Sequence, residues 1–256
     1  ENILKNKKSY EGITKFMDMS PREFRKKYLG YKPNVLKSTP SDTFYGNAAP
    51  DAWNWMDKKV LGAVKDQAQC GSCWAFSTMG NLEAAAFIQK KLTVRLSEQL
   101  LVDCDDVDLG CSGGNMDVAM QWMIEKNNGQ MESETDYPYL AYDDDCHLDK
   151  SKMIPGFKLK SYKHILDIDE KDLKELVYTQ GPLSVALNAN PLQFYSGGIV
   201  DEDETWCDPE GLNHGVTMVG YGKQGDIDYW ICRNSWGDYW GEDGYFKIRR
   251  GKGTCG

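Results

Sequence analysis

The chain has 256 residues, 41% of them hydrophobic, and a formal net charge of −9. That length allows one large domain or two small ones with a sizeable core, and no apolar run reaches the ~20 residues that a membrane-spanning helix needs. The acidic balance argues against nucleic acid or an anionic membrane as the main partner.

Residues 1–48 differ from the rest. They hold no Cys, are rich in Lys and Arg, and end in a polar, Pro-bearing stretch from Pro33 to Pro50. Ser20-Pro21-Arg22-Glu23-Phe24 predicts a short helix, with Ser20 as N-cap, Pro21 at the first helical position, and Phe24 and Tyr28 on one face. From Trp74 onward, Met79, Leu82, Ala86 and Phe87 recur at helical spacing, which places Cys73 at a helix start. Unpaired backbone N–H groups there favour a thiolate over a thiol. Ser97-Glu98-Gln99 opens another helix. Met116, Ala119, Met120, Met123 and Ile124 form a third apolar stripe, ended by Asn127-Asn128-Gly129, and such a stripe reads as core. Asp136-Tyr137-Pro138-Tyr139 reads as a turn.

Beyond about residue 160 the pattern becomes strand-like, with one further helix from Asp169 to Gln180 that Gly181-Pro182 stops. Leu183 to Leu187, Val216 to Val219, Tyr229 to Cys232 and Tyr245 to Ile248 read as short strands between Gly-rich turns. A helical half followed by a strand-rich half predicts an α+β protein of two lobes, residues 58–160 and 161–250 in round terms, with a cleft between them. Cys73 then falls on one lobe, and His214 and Asn234 on the other. Acidic clusters at Asp105-Asp106, Asp143-Asp144-Asp145 and Asp201-Glu202-Asp203-Glu204 lack the ligand spacing of a calcium loop and read as solvated loops. The eight cysteines fit an oxidising compartment, but their spacing alone leaves the connectivity open.

Three segments carry a resemblance. Gln67-Ala68-Gln69-Cys70-Gly71-Ser72-Cys73-Trp74-Ala75-Phe76 is similar to the nucleophile segment of papain-like cysteine proteases of the cathepsin L/F type. Gly211-Leu212-Asn213-His214-Gly215-Val216 and Asn234-Ser235-Trp236-Gly237 resemble that family's histidine and asparagine segments, in the same order. Gly113-Gly114, Gly220-Tyr221-Gly222 and Trp240-Gly241 are in step, so the resemblance runs from about Ala49 onward. It implies a papain-like fold with a mainly helical lobe and a barrel-like, strand-rich lobe.

It also implies roles. Cys73 would be the nucleophile, and His214 its base and the proton donor to the leaving amine. Asn234 would orient the imidazole under the cover of Trp236. Gln67 and the Cys73 backbone N–H would form the oxyanion hole. Gly71, Gly113, Gly114, Asn115, Met116, Ala186, Leu212, Asn213 and Trp236 would line the substrate cleft. Matching the family pattern pairs Cys70 with Cys111, Cys104 with Cys146 and Cys207 with Cys255, leaving Cys232 as an inert buried thiol.

Gly12, Thr14, Phe16 and Asp18 resemble the family's propeptide motif, with Thr14 in the usual Asn place. Residues 1–48 are therefore expected to be part of an inhibitory propeptide and residues 49–256 the peptidase domain, with cleavage near Asn47 to Pro50. In relatives a longer helix precedes this motif, and a further segment follows the position of Gly256 and lines a pocket floor. The expected activity is endopeptidase chemistry through an acyl-enzyme thioester, released by acid that protonates carboxylates such as Asp18. No cofactor or metal is expected. Expected partners are protein or peptide substrates, the propeptide itself and cystatin-type inhibitors, acting on a monomer that is secreted or held in a lysosome-like or vacuole-like acidic compartment.

Two other enzyme or metal readings use the same cysteines. A thiol–disulfide oxidoreductase would use Cys70-Gly71-Ser72-Cys73, but it leaves His214 and Asn234 without a role. A zinc ribbon would need a second close Cys pair, which the sequence lacks. A third reading, a binding protein built on an inactive protease fold, conflicts with the intact set of Cys73, His214 and Asn234.

Overall fold

A computed structural model describes residues 9–33, 49–201 and 207–256. The expected cleavage region at Asn47-Ala48 and the acidic run Glu202 to Glu204 lie outside the described residues. The N-terminal segment contributes strand β1 (Ser9–Glu11) and helix α1 (Pro21–Tyr28). Ser20 caps α1 through a reciprocal pair of bonds: Ser20 Oγ accepts from the Glu23 N–H, and the Glu23 carboxylate accepts from the Ser20 N–H. With Pro21 at the first position, this satisfies the helix start almost wholly from local sequence.

Strand β2 (Trp53–Asn54) leads to the helices of one lobe: α2 (Cys73–Lys90), α3 (Glu98–Cys104) and α4 (Met116–Asn127). The α2 helix is buried on nearly every side, because both lobes pack on it. The Ser77 hydroxyl on α2 donates to Val216 O at 2.7 Å, and Ser184 Oγ donates to Ser77 O at 2.9 Å. A buried cluster of Trp74, Met79, Leu100, Leu101, Met120 and Met123 holds this lobe together, so the Met stripe is core, as read from its spacing. Ser97 caps α3 and Asn115 caps α4.

Helix α5 (Glu170–Gln180) packs on the second lobe. Its strands are β3 (Leu183–Leu187), β4 (Tyr195–Val200), β5 (His214–Gln224), β6 (Ile227–Arg233) and β7 (Tyr245–Arg249). The sheet order is β1-β4-β7-β6-β5-β2, with β3 also paired to β5. The expected barrel is corrected here: among the described residues the sheet is open, with β1 at one edge and β2 and β3 meeting only β5 at the other. Its second core runs from Trp230, Trp236, Trp240 and Phe246 into Phe16, Phe24 and Tyr28, so the N-terminal segment is part of the same hydrophobic body. Among the described residues, no helix is long and apolar enough to cross a membrane.

Candidate active site

Cys73 is the first residue of α2. Ser72 precedes it without a side-chain cap bond; its hydroxyl lies 2.6 Å from Tyr139 Oη instead. The Cys73 Sγ accepts from two backbone N–H groups, Gly30 and Gly215, each at 3.4 Å. Gly215 follows His214, so β5 delivers the imidazole to the helix start from the other lobe. Asn234 follows the end of β6, the antiparallel neighbour of β5, and its Oδ1 lies 2.8 Å from His214 Nε2.

Asn234 Oδ1 can only accept, so His214 Nε2 carries the proton and donates to it. Asn234 Oδ1 also accepts from the Ser235 N–H at 2.8 Å, which fixes which way the amide points. The other ring nitrogen, His214 Nδ1, is buried and meets no hydrogen-bond partner among the described residues. It is a buried basic lone pair on the residue next to Gly215, whose N–H reaches the Cys73 sulfur. The Trp236 ring lies over the imidazole, with centroids 4.8 Å apart.

Both groups are fully covered in this structure. Burial pushes the Cys73 thiol up, against the N–H groups of Gly215 and Gly30 that favour a thiolate. Burial also pulls His214 down to about 4, although its bond to Asn234 works the other way. The helix-start placement is as expected, yet the expected thiolate is disfavoured here. Desolvation by burial outweighs the backbone N–H groups around the sulfur.

Gln67 is wholly buried. Its Nε2 donates to Cys70 O at 2.8 Å and to Tyr28 O at 3.0 Å, and its Oε1 accepts from Ser235 Oγ at 2.6 Å. The amide donor that would meet an oxyanion is therefore held in place, and a carbonyl of the N-terminal segment now occupies it.

Beyond Tyr28 the chain continues across the cleft in extended form. Gly114 N–H donates to Gly30 O at 2.8 Å, Lys32 N–H donates to Gly114 O at 2.8 Å, and Tyr31 N–H donates to Asn213 O at 3.0 Å. Asn115 Nδ2 donates to Lys32 O at 2.9 Å. Gly30 passes so close to the Gly71 carbonyl that a Cβ would overlap it, so only glycine fits. Tyr31 and Ala186 both pack against the helical-lobe cluster that includes Met116, and Ala186 pairs with Gly215 across β3 and β5. Leu212 stands half-buried beside Asn213. The structure thus gathers Gly71, Gly113, Gly114, Asn115, Met116, Ala186, Asn213 and Trp236 around Cys73 and His214.

The N-terminal motif is an anchor. Phe16 is fully buried and meets Tyr28, Phe24 and Trp236 with centroids 4.7, 4.9 and 5.0 Å away. Gly12 N–H donates to Phe194 O at 2.8 Å and Thr14 Oγ1 to Gln193 O at 2.7 Å. Asp18 is exposed, and among the described residues no hydrogen bond or ion pair engages its carboxylate. Among the described residues, the ion pair that joins segment and body is one the sequence gives no sign of: Lys15 Nζ lies 2.9 Å from both Asp66 oxygens, and Tyr239 Oη donates to Asp66 Oδ2 at 2.6 Å. Burial works against the Asp66 charge, but Lys15, Tyr239 and the Ala68 N–H together hold its carboxyl below the usual range.

The disulfides are Cys70–Cys111, Cys104–Cys146 and Cys207–Cys255, leaving Cys73 and Cys232 free and buried. With Cys70 bonded to Cys111, the Cys70-Gly71-Ser72-Cys73 run is not a redox pair. Among the described residues, no group of three or more His, Cys, Asp or Glu could hold a metal ion.

The family model described as papain family cysteine protease matches residues 49–256. A viral cathepsin of Heliothis zea nuclear polyhedrosis virus is 38% identical over all of this chain and 71% of its own length. Cysteine proteinase A of Leishmania mexicana is 40% identical over 96% of this chain and 70% of its own. Among solved structures, digestive procathepsin L 3 of Tenebrio molitor larval midgut superposes with a TM-score of 0.87 at 36% identity, covering 100% of this chain and 82% of that one. The precursor of stem bromelain does so with a TM-score of 0.84 at 32% identity, covering 97% and 79%. The chain belongs to the papain family of cysteine proteases.

Proposed function

We propose that the chain is the latent form of a cysteine endopeptidase, with Cys73, His214 and Asn234 performing the chemistry. The carrying observation is the His214 ring, whose Nε2–H is tied to Asn234 while Nδ1 stays open, and whose next residue, Gly215, puts its N–H on the Cys73 sulfur. Once water enters the cleft, the thiol proton passes to His214 Nδ1 and the thiolate attacks a peptide carbonyl. The oxyanion is met by Gln67 Nε2 and the Cys73 N–H. His214 then gives its proton to the departing amine, leaving a thioester. Water, deprotonated by the same imidazole, attacks the thioester carbonyl, and the thiolate leaves with the acid product.

Residues 1–48 act as propeptide and residues 49–256 as the peptidase. Tyr28 to Lys32 occupy both the oxyanion donor and the backbone groups of Gly114 and Asn213, so no substrate can enter while the segment is docked. Processing falls just before Ala49. The Ala49 N–H already lies 3.1 and 3.2 Å from the two oxygens of buried Glu175, so a new ammonium would meet a carboxylate in place. Acid acts at Asp66 rather than at Asp18. Its lowered pKa means that the Lys15 bridge adds to docking above the free carboxyl's value of about 3.9 and is lost as pH falls through the lower docked value.

Three disulfides and acid release suit a secreted, lysosome-like or vacuole-like site of action on protein or peptide substrates. Cystatin-type inhibitors would compete for the same cleft, and the working form is a monomer. Alkylation tests the nucleophile assignment. After acid treatment, iodoacetamide should place one label on Cys73, located by peptide mapping, and hydrolysis of a dipeptidyl amide should stop. Full activity with Cys73 labelled would overturn it.

A further inference from the structure

The loop between α3 and α4 holds two carboxyl groups that no catalytic step uses. Asp105 is 5% exposed. Its Oδ1 accepts from the N–H groups of Val107 and Asp108, at 3.0 and 3.3 Å. Asp108 Oδ1 accepts from the Asn115 N–H at 3.0 Å. The second oxygen of each, Asp105 Oδ2 and Asp108 Oδ2, is buried and meets no donor among the described residues. Asp108 lies three residues on from Asp105, with its N–H on Asp105 Oδ1, and each carboxyl acts electrostatically on the other. Neither free oxygen can be satisfied by the other unless one carboxyl is protonated.

This pair lies directly behind the cleft. A Cβ on Gly114 would stand 2.7 Å from the Asp108 carboxyl carbon and 2.6 Å from the Trp74 ring, so Gly114 rests on Asp108 and Trp74. The opposite face of Gly114 presents the N–H and C=O that hold Gly30 and Lys32. Leu109 N–H donates to Gly113 O at 2.8 Å, closing the loop on the preceding residue.

We propose that Asp105 and Asp108 share one proton and that this acid–carboxylate pair positions Gly113 to Asn115 as the edge that receives an extended peptide. The proposal rests on the reading of that edge as the substrate cleft, given above. With the proton in place, the pair carries one negative charge and a strong internal bond. Without it, two carboxylates face each other in a poorly solvated site, and the loop must open to hydrate them.

The surroundings add to the repulsion. Asp106 stands on the same loop, bonded to Trp122 Nε1; Asp117 faces the pair from α4; Asp143 approaches from the neighbouring loop and accepts from the Cys111 N–H. His164 lies 3.2 Å from Asp117, and Lys32 reaches Gly113 only while the N-terminal segment is docked. Burial and the neighbouring Asp105 raise Asp108 to about 8, so the proton is retained through acid and neutral pH and given up in mild alkali.

The test uses the full chain carrying Cys73→Ala, with Asp108 intact or as Asp108→Asn. Infrared spectroscopy at neutral pH should show a buried carboxylic-acid carbonyl band that Asp108→Asn removes. Hydrogen exchange at Gly114 and Asn115, corrected for intrinsic rate, should lose protection about ten-fold between roughly pH 7 and pH 9.5 in the parent, the ratio carried by about one pKa unit. Asp108→Asn supplies an N–H to Asp105 at every pH and should stay flat. In the processed wild-type enzyme the same step should appear in KM rather than kcat, and Asp108→Asn should abolish it. An absent carbonyl band, or equal pH dependence of exchange in parent and variant, overturns the shared proton. A band and a flat parent exchange profile overturn the positioning role. Both readouts are independent of turnover, so an error in the assignment of Cys73 or His214 would show only in the kinetics.

Discussion

In the proposed chemistry His214 becomes cationic, and a neutral amide beside it sets the limits of what Asn234 can do. It fixes the ring without adding a charge that would hold the proton on His214. Asn234→Ala removes one acceptor for a charge-bearing ring, a loss of about 1.5–3 kcal/mol, so kcat should fall roughly ten- to a hundred-fold with KM little changed. Steady-state kinetics on the processed enzyme would show it, and an unaltered kcat would refute the orienting role. Gln67→Ala removes an oxyanion donor and should lower kcat by about a hundred- to a thousand-fold, as measured on the same amide. These residues were legible in the sequence because each stands inside a run whose neighbours are also constrained: Gly215 after His214, Trp236 after Ser235, Ser72 before Cys73. The ionisation state was not legible. It depends on which remote segment covers the site, and Tyr28 to Lys32 give no local sign that they lie there.

At the scale of elements, α1 and the Phe16 cluster pack as one unit into the core of the second lobe. The Ser20–Glu23 cap could be read from four adjacent residues, whereas the Lys15–Asp66 bridge joins distant parts of the chain that only the fold brings together. Two consequences separate the roles of the carboxylates. Asp66→Asn should raise the pH at which the segment releases, because the bridge is weakened at every pH, while Asp18→Asn should leave that pH unchanged. Acid-induced appearance of activity, followed by time course across a pH series, measures both. Strands β1 and β4 were not read from sequence for a related reason. Gly197 and Gly198 interrupt the strand pattern in β4, and β1 is three residues whose partners lie on β4.

For the whole molecule, two cores meet across α2, and a buried charge cluster sits where they meet. Lys65 Nζ lies 2.7 Å from Glu98, 3.1 Å from Glu134 and 3.3 Å from Glu83. Desolvation opposes the Lys65 charge, but three carboxylates around it keep it cationic. Lys65→Met would leave buried carboxylates without a cation, so the chain should lose about 3–5 kcal/mol of stability, read as a lowered unfolding midpoint at neutral pH. The two-lobed α+β plan was visible in the change from helical to alternating spacing near residue 160. The open sheet was not visible, since closure depends on which edge strands meet.

The central claim is that a docked N-terminal segment holds a competent Cys73 site silent. It is tested most directly by incubating the wild-type chain and Cys73→Ala with reductant at neutral pH and at steps from about pH 5 down through and below the free carboxyl value of about 3.9. Mass and hydrolysis of a dipeptidyl amide are followed together. The account predicts that only the wild type, and only in acid, loses the residues preceding Ala49 and gains activity as it does so. Full hydrolysis by the intact chain at neutral pH, or equal processing of the two chains with activity in both, would contradict it.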